Sequence, residues 1–394
     1  MRFIKQIIIH LGIYITVTAT PVSGTSPIMY LPQGHVIDAI SGLGYNKSTI
    51  STPATLGSTN PASIVDLSKL NLGFSYQYDT KLKPAWIVGI GHRRIFNSVP
   101  QSIGLSIPIK NLHLGLAMNQ IYNSELDYGE IAGTFVWPNE QGYIETETFN
   151  PKRKESINRY SIIAAYDLNK YLSNSNCLSI GIQYNYNYLK YFQFLGPRTT
   201  ELNDSLVVQN LNIREKITAG NVSIGIRYST GNANIPRIDI GLYYETFIKF
   251  EKPYTFENSQ VILIGNIPDK LHAGIYLKTP FKLYFSGNLS FIFWENIKNG
   301  SSITPNQLEV SGTIGYTFSK DLTLYIGSLF SDYRKVIEDD LFGTEGKFKV
   351  IYFIAGGTFQ YKGLSFEFTC ADSHLFSGDW RKQTLIKLGA GYSF

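Results

Sequence analysis

Charge and cysteine are what this chain has least of. Charged residues make up 16 % of its 394 residues, and cysteine occurs twice, at Cys177 and Cys370. Two cysteines without a partner motif form at most one disulfide and no ligand cluster, so both read as buried or inert thiols. The histidines do not favour catalysis either. His10 lies in the first apolar stretch, and His35, His92, His113, His272 and His374 are scattered, with no spacing of the H-E-x-x-H kind. No nucleophile with a base and no ligand set falls together, so the chain reads as a non-enzyme with no cofactor and no metal. The net charge of +5 is interspersed and falls to +3 without Arg2 and Lys5 (33 basic against 30 acidic residues), which is too weak to argue for nucleic acid.

Beyond its first residues the chain also lacks any apolar run long enough for a spanning helix. Met1–Gly24 reads as a secretory signal: Arg2 and Lys5 give the charged start, Ile7–Val17 the apolar run, and Ala19 or Gly24 the cleavage site. No cysteine follows either point, so no lipid anchor is expected there. An exported chain without a spanning helix is either a soluble β protein or a β-barrel of an outer membrane.

What the chain does have is aromatics, at 14 % with 27 tyrosines, and 35 glycines, a composition of strands and turns. The stretch Leu56–Asp79 shows the plan. Leu70, Leu72, Phe74, Tyr76 and Tyr78 alternate with Asn71, Gly73, Ser75, Gln77 and Asp79, which makes a strand with one oily and one wet face. The same alternation recurs at Leu112–Asn119, Leu178–Tyr188, Val222–Tyr228, Ile238–Glu245, Leu283–Phe293, Gln307–Phe318, Leu364–Thr369 and Ile386–Phe394. A soluble sandwich alternates too. Here, however, segments approach the roughly 10 residues of a tilted spanning strand, the second face is small and polar as a watery lumen would want, and aromatics crowd segment ends, as in Tyr184–Phe194.

Connections alternate in length. Short ones are expected at Ile109–Leu112, Asn169–Asn176, Thr230–Pro236, Thr279–Phe281, Ser319–Asp321 and Tyr361–Gly363; long polar ones at Asn123–Glu155, Gly196–Asn210, Glu251–Ile267, Glu295–Pro305, Asp332–Gly346 and Ser373–Gln383. The expectation is an all-β, antiparallel up-and-down transmembrane barrel of 14 strands over residues 69–394. Pro84–Ile95 also looks like a strand and keeps 16 as the next option. Residues 25–68 are too apolar for a free tail and read as an N-terminal hatch, or plug, lying in the lumen, with a disordered leader as the alternative.

The order hatch, then Asn60-Pro61-Ala62, then first strand resembles the long-chain fatty acid transporter family of outer-membrane barrels (FadL-like, TodX type) and its PorV-type relatives. The hairpin Pro108–Met118 and the terminal Phe394 are similar as well. The resemblance implies a 14-stranded barrel in the cell outer membrane, a hatch joined to the wall at Asn60, Pro61 and Ala62, and passive passage of hydrophobic compounds. It also implies as partners outer-membrane lipid, a hydrophobic small molecule, and the barrel-assembly machinery acting on the C-terminal strand that ends in Phe394.

On strands running outward from short turns, inward positions are polar near the turn and apolar further up. The apolar set is Ile121, Leu189, Tyr243, Phe247, Ile292, Tyr325 and Leu329, with Ile351 and Phe353 on a strand running the other way. An apolar pocket above a polar floor would suit a hydrophobic ligand entering from outside. Two structural accounts compete with it: bulges that turn these side chains outward, and contact with the hatch or with folded-in loops. The charges Arg159, Asp167, Arg227, Asp239, Glu245, Glu309, Glu367 and Lys387 fall on the inward face and read as lumen ion pairs. The functions considered are a hatch-gated channel for hydrophobic compounds, a PorV-like scaffold or shuttle for secreted proteins, and a general diffusion porin.

Overall fold

The computed structural model describes residues 40–79, 98–127, 131–136, 144–149, 151–169, 176–202, 205–230, 236–256, 259–264, 266–296, 306–335, 346–375 and 384–394. The expected leader, residues 25–39 of the expected hatch, and Pro84–Ile95 lie outside the described residues.

The described strands, in chain order, are β1 (Ile40–Ser41), β2 (Gly44–Tyr45), β3 (Asn71–Asp79), β4 (Ser98–Ile109), β5 (Leu112–Asp127), β6 (Ile131–Val136), β7 (Ile144–Phe149), β8 (Pro151–Asp167), β9 (Asn176–Leu202), β10 (Ser205–Thr230), β11 (Arg237–Glu245), β12 (Glu251–Phe256), β13 (Ser259–Ile264), β14 (Lys270–Lys278), β15 (Leu283–Ile292), β16 (Gln307–Thr317), β17 (Leu322–Lys335), β18 (Gly346–Tyr361), β19 (Leu364–Asp372) and β20 (Thr384–Ser393). Fourteen of them (β3, β4, β5, β8, β9, β10, β11 and β14 to β20) form one antiparallel ring. It closes where β20 pairs with β3, with Phe74 opposite Ala390 and Leu72 opposite Tyr392. Closure removes the ladder edges within the ring, while the overshooting ends of β5 and β10 pair on one side only, with β8 and β9. The 14-strand expectation is therefore met.

One end of the ring carries short turns. Two of them, Lys110–Asn111 and Lys362–Gly363, are two residues long, and in the second both residues have positive φ, +46° and +85°, the geometry that matches the twist of a two-residue hairpin. At the other end the strands overshoot. β9 and β10 run 27 and 26 residues, more than twice what a tilted crossing needs. The expected long loop Gly196–Asn210 is thus almost entirely strand, because Leu195 to Leu202 pair with Leu211 to Ser205. The expected loop Asn123–Glu155 likewise contains the ends of β5 and β8 and the β6–β7 hairpin, and Glu251–Ile267 contains the separate ribbon β12–β13.

The two faces of the wall follow the alternation. Leu72, Phe74, Leu116, Ile162, Ile182, Ile224, Ile240, Leu289, Ile314, Ile326, Phe366 and Leu388 are exposed on the outside. Their in-phase neighbours inside are buried, among them Ser75, Asn119, Ser161, Gln183, Asn185, Ser223, Asn288 and Ser311. An open aqueous lumen would leave that inner face wet. It is dry because residues 40–66 run across the inside of the ring.

Candidate functional site

Residues 40–66 have little regular structure: the β1–β2 pair and two 3-10 turns, Pro53–Thr55 and Pro61–Asp66. A buried irregular backbone needs partners for its N–H and C=O groups, and the wall supplies them. Ser102, Asn119, Gln183, Ser179, Ser311, Thr369 and Lys387 donate to the carbonyls of Ala54, Leu56, Gly57, Ala62, Tyr45, Ser41 and Ile40, over 2.7–3.1 Å. The backbone N–H groups of Gly42 and Lys47 donate to Glu367 and Asn288. The polar inward face therefore binds a segment of the same chain, where the sequence suggested a surface for water. Its small residues serve the same contact: a β-carbon on Gly73, Gly181 or Gly241 would overlap the backbone of Pro53, Ala62 or Ser48.

Asn60, Pro61 and Ala62 form the firmest seat. The Asn60 side chain accepts from the Ala62 N–H at 2.9 Å and caps the turn that begins at Pro61, where a missing N–H costs nothing. Its Nδ2 donates to the carbonyls of Ser48 at 2.8 Å, Ile226 at 3.1 Å and Leu242 at 3.3 Å. The last two belong to β10 and β11. Further along, Asp66 is held by Arg227, at 2.8 Å, and by Arg237; both arginines also bond Asp239.

Above this segment, toward the long-connection end, lies a polar layer. Arg159 of β8 donates from Nη1 and Nη2 to the two oxygens of Glu245 on β11, at 3.1 and 2.6 Å, and from Nε to Asn187 of β9 at 3.0 Å. Tyr243 donates to Glu245 at 2.8 Å, and its ring stacks on His272 at a centroid distance of 4.8 Å. His272 in turn shares a 2.6 Å hydrogen bond with Ser290. Every nitrogen of the Arg159 guanidinium has an acceptor, which a fully buried charge requires.

Two apolar clusters border these layers. One joins Tyr122, Ile157, Leu189, Ile213, Ile217, Ile248, Phe250 and Ile267, with Ile121, Tyr191 and Ala219 at its margin. The other joins Ile40 and Tyr45 to Tyr284, Tyr325, Leu329, Val350, Tyr352, Ile354, Ala371 and Leu385.

The residues expected to line an apolar outer lumen divide accordingly. Leu189 and Ile121 meet in the first cluster, Tyr325 and Leu329 in the second. Tyr243 is buried within the polar layer, and Ile292 is buried at the end of β15. Ile121 is the extra residue of a bulge, since Gln120 pairs with Asn158 while Tyr122 pairs with Ile157. The bulge hands the inward position to Tyr122. Phe247 is half-buried just past β11, and the deeply buried residues there are Ile248 and Phe250.

Ile351 and Phe353 are corrections. β18 pairs Ser328 with Phe353 and Leu329 with Tyr352, so Phe353 is exposed on the outer face while Val350, Tyr352 and Ile354 point inward. The run Val350–Ala355 is apolar on both faces and gives no alternation to fix its phase. Ile157, Ile213 and Ile217 keep step with the inward Arg159 and Ser223, and following the alternation to the strand ends beside the expected loops finds them.

Arg159 with Glu245, and Arg227 with Asp239, are lumen ion pairs. Glu309 accepts from Tyr45 and Gln307, and Asp167 accepts from Asn169 at the turn end.

No family model and no curated protein sequence matches this chain. Solved structures do match it in fold. A deletion mutant of TodX, a monoaromatic hydrocarbon channel, superimposes with a TM-score of 0.60 at 13 % identity, over 92 % of this chain and 99 % of that one. The toluene transporter TbuX of Ralstonia pickettii gives 0.57 at 9 % identity, over 93 % of this chain and 100 % of that one. A FadL homologue of Pseudomonas aeruginosa gives 0.55 at 11 % identity, over 93 % and 99 %. At these identities the likeness is one of fold: this chain has the architecture of the FadL-type barrels.

Proposed function

We propose that the protein is an outer-membrane channel for passive uptake of hydrophobic compounds, with residues 40–66 serving as a hatch that keeps the lumen closed to water and ions. The observation that carries this reading is the stacking order inside the ring. A segment held to the wall by polar groups lies at one level, the Arg159–Glu245 layer lies above it, and the level above that, toward the long-connection end, is mainly apolar, built on Ile157, Leu189, Ile213 and Ile217 with Glu155 buried beside them. A polar solute gains nothing from that last level, whereas a compound leaving water for it gains about 25 cal/mol for each Å² of apolar surface buried. The architecture shared with the toluene transporters and the FadL homologue supports the same class of cargo.

The outer face supports the location. A continuous belt of exposed Leu, Ile, Phe and Tyr side chains would be unstable in water, and hydrocarbon is the solvent that suits it. Phe394, exposed at the end of the last strand beside Tyr392, fits recognition by the barrel-assembly machinery.

The test is uptake of a radiolabelled long-chain fatty acid by Gram-negative cells lacking their own transporter, with and without this protein. Uptake above the empty-vector level, with no gain for a labelled disaccharide, is the expected result. Equal gain for both solutes would favour a general diffusion porin.

A further inference from the structure

The apolar cluster above the Arg159–Glu245 layer is completed by a segment that is not part of the wall. Between β11 and β14 the chain leaves the ring and returns, and its middle forms the ribbon β12–β13, a two-stranded sheet of its own. Ile248 and Phe250 on the way out, and Ile267 on the way back, are almost fully buried against Tyr122, Ile157, Leu189, Ile213 and Ile217 of the wall.

The attachment is uneven. At the base, Thr246 exchanges hydrogen bonds with Val222, and Asn221 donates to the Thr246 carbonyl. Asp269 accepts from Tyr244 and from the Phe247 N–H. Above the base, Ile248 and Ile267 bond each other, and Asn266 bonds Glu251. Those bonds lie within the excursion and would survive its movement. At that level the excursion meets the wall through apolar contact and through the ion pair of Lys252 and Glu215. Because much of the excursion's backbone bonding is internal and its base is narrow, the main cost of opening is the apolar burial of Ile248, Phe250 and Ile267, which a hydrophobic compound taking their place would offset.

We propose that the two arms of the excursion, residues 246–250 and 266–269, form a self-occluding lid. Ile248, Phe250 and Ile267 occupy the site that an uncharged hydrophobic compound takes, and the compound enters by displacing them. This rests on the proposed channel function. It differs from gating by residues 40–66, which are bonded to the wall on many strands.

The test uses the full-length mature protein held in amphipol, with Cys177→Ser and Cys370→Ser. Lys252→Cys and Glu215→Cys are added and bridged with a short bis-methanethiosulfonate, which dithiothreitol releases. Binding of the uncharged dye N-phenyl-1-naphthylamine is followed by fluorescence. A closed lid lowers apparent affinity by the fraction of open molecules. The bridged protein is therefore expected to bind about tenfold more weakly than the same sample after release. Phe250→Ala, which removes the largest occupant, is expected to bind about tenfold more tightly than wild type. Equal affinity before and after release overturns the lid and leaves the channel reading intact. A dye that binds neither wild type nor Phe250→Ala overturns the lid and the channel reading together.

Discussion

Gly225 on the barrel wall lies directly against the side chain of Asn60: a β-carbon on the glycine would overlap the Asn60 amide oxygen. Asn60 has no room to retreat, because its Nδ2 is bonded to Ser48, Ile226 and Leu242. The wall and the lumen segment are fitted to each other at this point.

Gly225→Val is therefore expected to unseat the segment. Overpacking at a fitted contact costs about 1–3 kcal/mol. The segment contains one lysine, Lys47, between Ile40 and Asp66. Trypsin is expected to cut after Lys47 in folded Gly225→Val and to spare it in wild type. Equal protection of the two would show that the contact tolerates a side chain.

Asn60→Ala tests the same seat from the other side. It takes one donor from each of three carbonyls and removes the cap of the turn at Pro61, at about 0.5–1.5 kcal/mol for each hydrogen bond lost. The ring itself keeps its ladders. The expected result is faster hydrogen exchange confined to residues 40–66, with the strands unchanged; uniform protection across the chain would deny the seat.

Arg159→Ala leaves Glu245 charged and buried without its main partner, at a cost of about 3–5 kcal/mol. The double variant Arg159→Met, Glu245→Leu removes both charges and is expected to be close to wild type. Unfolding temperatures, read from the gel shift between folded and heated barrel, check the order. A double variant as unstable as Arg159→Ala would mean that the layer does more than neutralise itself.

The corrected phase of β18 can be read with brominated lipid. A tryptophan in place of Phe353 is expected to be quenched strongly and one in place of Tyr352 weakly, because the first faces hydrocarbon and the second the interior. The reverse order would restore the phase that the sequence suggested.

The sequence carried the ring clearly and its contents poorly. Strands such as β3 and β16 alternate cleanly because one face meets hydrocarbon and the other does not, and that contrast is local. Filling of the lumen is not local. Gly73, Gly181 and Gly241 look the same whether they line water or press on Pro53, Ala62 and Ser48. Asn119 and Gln183 likewise suit a wet channel or a buried carbonyl equally well. The apolar clusters were half visible: Leu189 and Leu329 kept the alternation of their strands, but Ile248, Phe250 and Ile267 reach the interior from a segment with no period at all. At Ile121 a bulge shifted the phase, and at Phe353 there was no phase to read.

Conductance in planar bilayers tests the central claim most directly, comparing the intact mature protein with a variant lacking residues 40–53. If the polar inner face exists to hold that segment across the ring, the intact barrel carries little current and the deleted one opens a steady aqueous pore. An intact barrel that conducts as freely as the deleted one would contradict the account.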